Sequence, residues 1–321
     1  MQQDLKSAVA AASEALDNSG VVVGAVADSR PRFELFHAAN SICSQKVRTV
    51  LAHHNLCYLS HQLDIFKGQT YLPQYVRLRM MGCGRLGIPL VTNHTGSTSV
   101  SRGGCDPAVV PTLVDWETED VFVDSKLICQ HLDTQARVSR RLRPSALVER
   151  IDVEIEIVDN LPNYQMLAGK PPGEDLRPDS RRRSNGTDFA LGKVKRCEQY
   201  LKEYPRDEAL TAAYTAKRAK ELEAASSLFT EEAMSSAYQR AETACEGLSS
   251  RLAAAKAAWL FGVAPTMADL FWIVELSRMK NLGAAKIWEA GKMAPLANYL
   301  RQGEGLPSIR FAVLEWPGAS Y

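Results

Sequence analysis

Three places in the 321-residue chain put reactive or ligand-holding groups where a helix begins or a strand is interrupted. At the first, Asn40-Ser41-Ile42-Cys43 follows the apolar stretch from Phe33 to Ala38 and precedes Val47, Val50 and Leu51 at helical spacing. A hydroxyl and a thiol therefore fall at a strand-to-helix turn. Free N–H groups and the helix dipole favour an anion there. The same field lowers a cysteine's pKa, so that a thiolate is available for nucleophilic attack or for holding a second thiolate nearby. The competing reading makes Cys43 a small core residue.

At the second place, Val110-Pro111 enters an otherwise apolar strand, Val109 to Val114. Proline cannot donate to a ladder, so it demands an edge, a bulge or a cis bond. A cis turn leaves the preceding N–H and C=O open to a peptide-like ligand. At the third, Asp124-Ser125 precedes a helical run and offers N–H groups, a hydroxyl and a carboxylate. Such a start can cap its helix, or hold a ligand's carboxylate while Asp124 meets its ammonium.

The elements around these positions read strand (33–38), helix after Ser41, strand in 57–66, helix through Tyr71–Met81, strand near 109–115, turn, strand 121–123 and helix. This β-α-β-α-β-β-α order is that of a thioredoxin-like domain. It sets the expected division: an N-terminal extension (1–30) outside the first folded unit, a thioredoxin-like domain (31–137) with a long surface loop (82–106), and an all-helical domain (138–321). The polar, proline-bearing stretch 169–192 reads as an irregular excursion, and Arg181–Arg183 within it as a solvated run.

Lysine plus arginine (38) nearly balances aspartate plus glutamate (37), which removes the basic field expected of a nucleic-acid or anionic-membrane partner. No stretch reaches the roughly 20 apolar residues of a membrane span, and the N-terminus lacks a signal-peptide pattern, so a cytoplasmic location is expected. The seven cysteines show no CxxC or zinc spacing, and reduced thiols are expected rather than disulfides. No metal site is expected.

Taken in order and in this frame, Ser41 to Cys43, Val110-Pro111 and Asp124-Ser125 resemble the glutathione transferase superfamily. Thr266-Met267-Ala268-Asp269 continues the likeness: it matches that superfamily's helix-capping box, with Trp259-Leu260-Phe261-Gly262 ahead of it and an apolar helix behind it. Thr266 and Asp269 are structural on this view. Ser41-Ile42-Cys43-Ser44, the segment from Pro73 to Arg79, the long loop, and the segments from Ala268 to Trp272 and from Glu315 to Gly318 narrow the likeness. They resemble the glutathione-dependent reductive dehalogenases of chlorinated hydroquinones and chlorinated gentisates.

The resemblance implies glutathione as co-substrate, a homodimer and a two-thiol route. Ser41 would donate to the glutathione thiolate, Val110 and Pro111 would hold its cysteinyl backbone, and Asp124 and Ser125 its γ-glutamyl group. Cys43 would take a glutathionyl group from an aryl conjugate, as a mixed disulfide. His37 is a candidate for proton transfer. Lys67, Gln74 and Arg77 are candidates for a glutathione carboxylate, and Asn160, Asn163 and Tyr164 for the second substrate. Two other enzyme readings remain, a maleylacetoacetate-type isomerase and a plain conjugating transferase. A non-catalytic glutathione-fold binding protein is the third alternative.

Overall fold

The computed structural model describes residues 4–16, 19–25, 30–137, 140–182, 185–289 and 291–319. Five strands form one mixed sheet in the order β1-β3-β2-β4-β5: β1 (Val21–Val23), β2 (Phe33–His37), β3 (Tyr58–Gln62), β4 (Thr112–Asp115) and β5 (Asp120–Val123). β2 lies at the centre, parallel to β3 and antiparallel to β4, with Leu35 opposite Ser60 on one side and Leu113 on the other. All five of its residues are buried, and the two polar ones are paired inside: Glu34 accepts from His61, and His37 bonds Ser60 Oγ.

The helices of this half are α1 (Leu5–Ala15), α2 (Ile42–His53), α3 (Pro73–Leu86), the single turn α4 (Val100–Gly103) and α5 (Ser125–Thr134). α3 starts with proline at its first turn, where the missing N–H costs nothing. It can lie against β5 because residue 82 is glycine: a Cβ there would sit 2.7 Å from Val123 Cγ1.

The leading residues do not lie outside this unit. Ala8, Val9, Ala12 and Leu16 of the α1 segment are buried in one cluster with Phe36, Leu63, Tyr75 and Val114, and β1 pairs antiparallel with β3. The expected extension is thus a layer of the sheet domain, because α1 supplies the apolar face that α3 needs. The long loop also departs from expectation. α3 continues to Leu86, and the chain then turns inward, burying Val91, His94 and Ser99. Cys83 and Cys105, with Cα atoms 5.8 Å apart, form a disulfide across the base of this loop, against the expectation of reduced thiols throughout. Their spacing of 22 residues gave no sign of the pairing, which arises because α3 and the returning loop meet at Val123.

The rest of the described chain is helical: α6 (Val148–Asp159), α7 (Asn163–Ala168), α8 (Asp179–Arg182), α9 (Gly186–Glu203), α10 (Glu208–Ser227), α11 (Glu231–Ala255), α12 (Met267–Asn281) and α13 (Ala294–Glu304). The expected division between residues 137 and 138 falls beside positions 138 and 139, which lie outside the described residues. The excursion 169–192 ends at Gly186, where α9 begins, and it is not wholly solvated. Arg177 is buried, held by Asp175 and by the carbonyl of Gly169 at 2.6 Å. Of the arginine run, Arg182 is exposed beside Asp179, and Arg183 lies outside the described residues.

α12 is buried from Met267 to Met279 and joins Leu35, Val50 and Leu51 of the sheet half in one core. Asp269 secures its start, accepting from Thr266 N and Oγ1 at 2.7 Å, from Leu260 N at 3.0 Å and from Tyr299 Oη at 2.9 Å. These bonds give the capping residues the structural role expected of them.

Deleting residues 1–16 should lower the stability of the protein by roughly 3–6 kcal/mol, the transfer cost of the buried Val9 and Leu16 side chains and the apolar surface beneath them. Urea unfolding of the truncated chain measures this, and an unchanged midpoint would show that α1 contributes nothing to the sheet domain.

Candidate active site

Ser41 caps α2 through a long contact, its Oγ accepting from Ser44 N at 3.4 Å, so the hydroxyl proton remains free to donate elsewhere. Cys43 is the second residue of the helix and half-buried. The Val110-Pro111 bond is cis. Its turn is locked from below: Tyr75 Oη donates to Val109 O at 2.7 Å, while Arg79 donates to the carbonyls of Pro111 and Asp106. Among the described residues the N–H and C=O of Val110 take no protein partner, which leaves an open stretch of strand edge. Asp124 adopts φ 74°, rare for a residue with a side chain, and caps α5 by accepting from Leu127 N at 3.0 Å. Its burial, with Asp159 nearby, pushes its carboxyl up to about 6.

Ser41, Cys43, Val110, Pro111, Asp124 and Ser125 line one cleft of about 510 Å³. Asn163 and Tyr164 line it too, but Asn160 does not, its amide being spent on Glu156. Lys67, Gln74 and Arg77 also lie off the cleft. Lys67 points to solvent beside Asp64, and Arg77 pairs with Asp207 at 2.6 Å. His37 is buried between Ser60 Oγ at 2.7 Å and Arg48 at 3.0 Å, and its burial holds it neutral, well below the usual histidine range. It is a structural residue of the sheet.

The Cys43 thiol is not lowered as the helix N-terminus led one to expect. Burial pushes it up from its ordinary value, outweighing the pull of Lys46 and of the Ser125 hydroxyl. Desolvation costs a thiolate more here than the field of one helix end returns.

The other arm of the cleft was missed. Lys193 of α9, Lys217 and Lys220 of α10, and Asp106 and Glu221 gather under Tyr164 and His94. Asp106 receives Lys217 at 2.7 Å and Lys220 at 2.8 Å, and Lys193 donates to Tyr164 Oη at 2.9 Å. Tyr164 Oη in turn donates to Glu221 at 2.8 Å, and His94 stacks on the Tyr164 ring. Burial and the neighbouring lysines bring the Lys193 ammonium down to about 8. The only signal in the sequence was the spacing of Lys217, Lys220 and Glu221, which puts all three on one helical face.

Two curated relatives match the chain, both called 2,5-dichlorohydroquinone reductive dechlorinase and both from Sphingobium indicum strains. They are 37% and 36% identical to it over 291 residues, covering 90% of this chain and 84% of each relative. The chain belongs to the family of these reductive dechlorinases. No protein-family model matches it. The dechlorinase-family chain shares its fold with solved glutathione transferases. One is URE2P6 of Phanerochaete chrysosporium in complex with oxidized glutathione (TM-score 0.53, 15% identity, covering 90% of this chain and 98% of that one). The beta-etherase LigF of Sphingobium sp. strain SYK-6 has the same fold (TM-score 0.54, 14% identity, covering 87% of this chain and 97% of that one).

Asp106→Asn should destabilise this dechlorinase relative by about 3–5 kcal/mol at pH 7, because two buried lysines lose their carboxylate. The lysines hold Asp106 well below the usual carboxylate range, so its contribution is present above the ordinary aspartate value near 4 and fades as pH falls below it. Urea unfolding of both proteins at pH 7 and pH 3 reads this, and equal stabilities at pH 7 would refute it.

Proposed function

We propose that the chain is a glutathione-dependent reductive dehalogenase of a chlorinated hydroquinone or chlorinated gentisate. The observation that supports this most is that Ser41 and Cys43, two residues apart at the start of α2, face the same cleft beside the open backbone of Val110 and the capped start at Asp124-Ser125.

On this reading the Val110 N–H and C=O pair with the cysteinyl backbone of glutathione, and Asp124 and Ser125 take its γ-glutamyl end. Ser41 Oγ donates to the glutathione thiolate. That thiolate adds to the ring carbon of the substrate's ketonic tautomer, chloride leaves, and the ring loses a proton to become an aryl thioether. Cys43 thiolate then bonds to the glutathione sulfur, and the carbon–sulfur pair stays on the ring carbon, which takes a proton. A second glutathione releases the oxidised dimer and restores Cys43. Two glutathiones supply the two electrons that the ring gains.

The cytoplasmic homodimer, and the division at 137/138 into a glutathione-binding and a substrate half, belong to the same reading. The lysine arm favours the carboxylated substrate of the two. Lys193, Arg196, Lys217 and Lys220 there stand against Asp106, Asp188 and Glu221, so a substrate carboxylate completes the charge balance.

Incubation with chlorinated hydroquinone or gentisate should release chloride and oxidised glutathione together. Cys43→Ser should still release chloride but stop at the glutathione conjugate. Reduced product at full rate from that variant would remove Cys43 from the reaction, and no chloride from either protein would favour the isomerase. Lys193→Met should raise KM for the chlorogentisate about tenfold or more, the loss of one charge-assisted hydrogen bond, with little change for the uncarboxylated ring. Because Lys193 loses its charge as pH rises through about 8, wild-type KM for the acid should climb above that pH. Equal losses on both substrates would count against a carboxylate contact.

A further inference from the structure

Beneath the cleft lies an ion pair that the proposed reaction does not yet use. Lys46 follows Cys43 by three residues on α2, so both side chains leave one face of that helix. The Lys46 side chain is fully buried, its Nζ 2.7 Å from Asp159 Oδ1 at the end of α6 and 4.8 Å from the centre of the Phe271 ring on α12. Burying an ammonium is costly, and an apolar side chain of similar length would fill the same space without that cost. A charge kept under such conditions points to a role beyond packing.

The groups around Cys43 come from three elements. Lys46 on α2 and the Ser125 hydroxyl on α5 favour its thiolate, while Asp159 on α6 and Asp124 at the start of α5 oppose it. Lys46 itself faces Asp159 and, from α12, Glu275, which is also under the field of Arg278. Lys46 exerts the strongest pull toward the thiolate, opposing the burial that works against it.

We propose that Lys46, paired with Asp159, is the positioning residue that makes the Cys43 thiolate available for the second half of the reaction. This rests on the reductive reading above. In the first half, glutathione sulfur bonds to the ring carbon and chloride departs, and Cys43 takes no part. In the second, Cys43 sulfur bonds to the glutathione sulfur, the ring carbon keeps the electron pair of the broken carbon–sulfur bond and takes a proton, and the glutathione sulfur is oxidised. A second glutathione thiolate then bonds to that sulfur and Cys43 leaves with the pair. Cys43 is negative at the start and end of this half and neutral between, so a fixed cation beside it aids both its attack and its departure.

The test uses full-length wild type, Lys46→Met, Lys46→Gln and Lys46→Arg. Iodoacetamide alkylation is followed against pH, with Cys43→Ser as the blank for the other cysteines. Turnover with glutathione is followed as the ratio of conjugate to dechlorinated product. Both neutral variants should move the alkylation midpoint up by about one unit or more, the scale set by losing an opposite charge about one helical turn away. Each should raise the conjugate-to-product ratio about tenfold near neutrality, with recovery at higher pH, and Lys46→Arg should restore the wild-type midpoint. A packing role would lower stability without moving the midpoint.

An unmoved midpoint in a folded neutral variant overturns the proposal. Should neither neutral variant fold, the double variant Asp159→Asn/Lys46→Met, which leaves no unpaired buried charge, is compared with Asp159→Asn alone: its midpoint should lie higher by about one unit, and equal midpoints overturn the proposal. Alkylation needs no substrate, so Lys46 can fail while dechlorination stands, and dechlorination can fail while the midpoint moves as expected.

Discussion

The guanidinium of Arg48 ties the turn ahead of Ser41 to the far end of the chain. It donates to the carbonyls of Ala38 at 3.0 Å and Ala39 at 2.7 Å on one side, and to Ala312 at 3.0–3.1 Å on the other. Arg48 is fully buried, as are Gln45, Lys46 and Thr49 around it, because α2 is enclosed by α5, α12 and the C-terminal turns, while its Val47, Val50 and Leu51 share a core with Leu35 and Leu113 of the sheet. A helix so placed cannot shift its N-terminus without breaking bonds to both halves. The position of Ser41 and Cys43 is therefore set by the packing of the whole molecule, and the clamp at residue 48 is where that constraint is concentrated.

This enclosure decides what was legible in the sequence. Local signals survived: the break at Asn40-Ser41, the proline at 111 and the cap at Asp124 each depend on backbone chemistry within a few residues, and the structure brings all three to one cleft. The capping pair Thr266 and Asp269 is local in the same sense. What failed was nonlocal. β1 is three valines whose partner, β3, lies far along the chain, and α1 is an alanine-rich helix whose buried face is visible only once α3 is set against it. Lys46 and Arg48 have the composition of a solvated helix face, and only the arrival of α12 and the C-terminus makes them interior. The Cys43 thiol was misjudged for the same reason, since the helix end is written in the sequence and the burial that outweighs it is not.

The direction in which burial shifts the Cys43 thiol bears on the proposed order of events. A cysteine held above its ordinary value rests as the thiol, which is slow to react with the first electrophile to enter the cleft. On the proposed route, glutathione bound under the Ser41 hydroxyl is then the nucleophile that meets the chlorinated ring first, and Cys43 enters only when a sulfur–aryl bond is within reach. In this arrangement burial keeps the two thiols in sequence, and an exposed, acidic cysteine would compete with glutathione for the ring and be consumed by it.

The second arm of the cleft is assembled in a different way, from segments that share no local signal. The loop beyond α3 is pinned by the Cys83–Cys105 disulfide at its base. Farther out, His94 N bonds Glu223 of α10 at 2.9 Å, Tyr164 N bonds Gly96 O at 3.0 Å, and Thr98 N bonds Asp159 O at 3.1 Å. The loop thereby presses His94 onto Tyr164 above Lys193, Lys217 and Lys220, while touching neither Ser41 nor the cis turn through any of these bonds. Asp159 joins the two systems, since its backbone holds the loop and its carboxylate holds Lys46. On the proposed route, ring recognition can therefore change through the loop and α9–α10 with the thiol chemistry left in place, and Asp159 is the residue at which a change in one arm would be felt in the other.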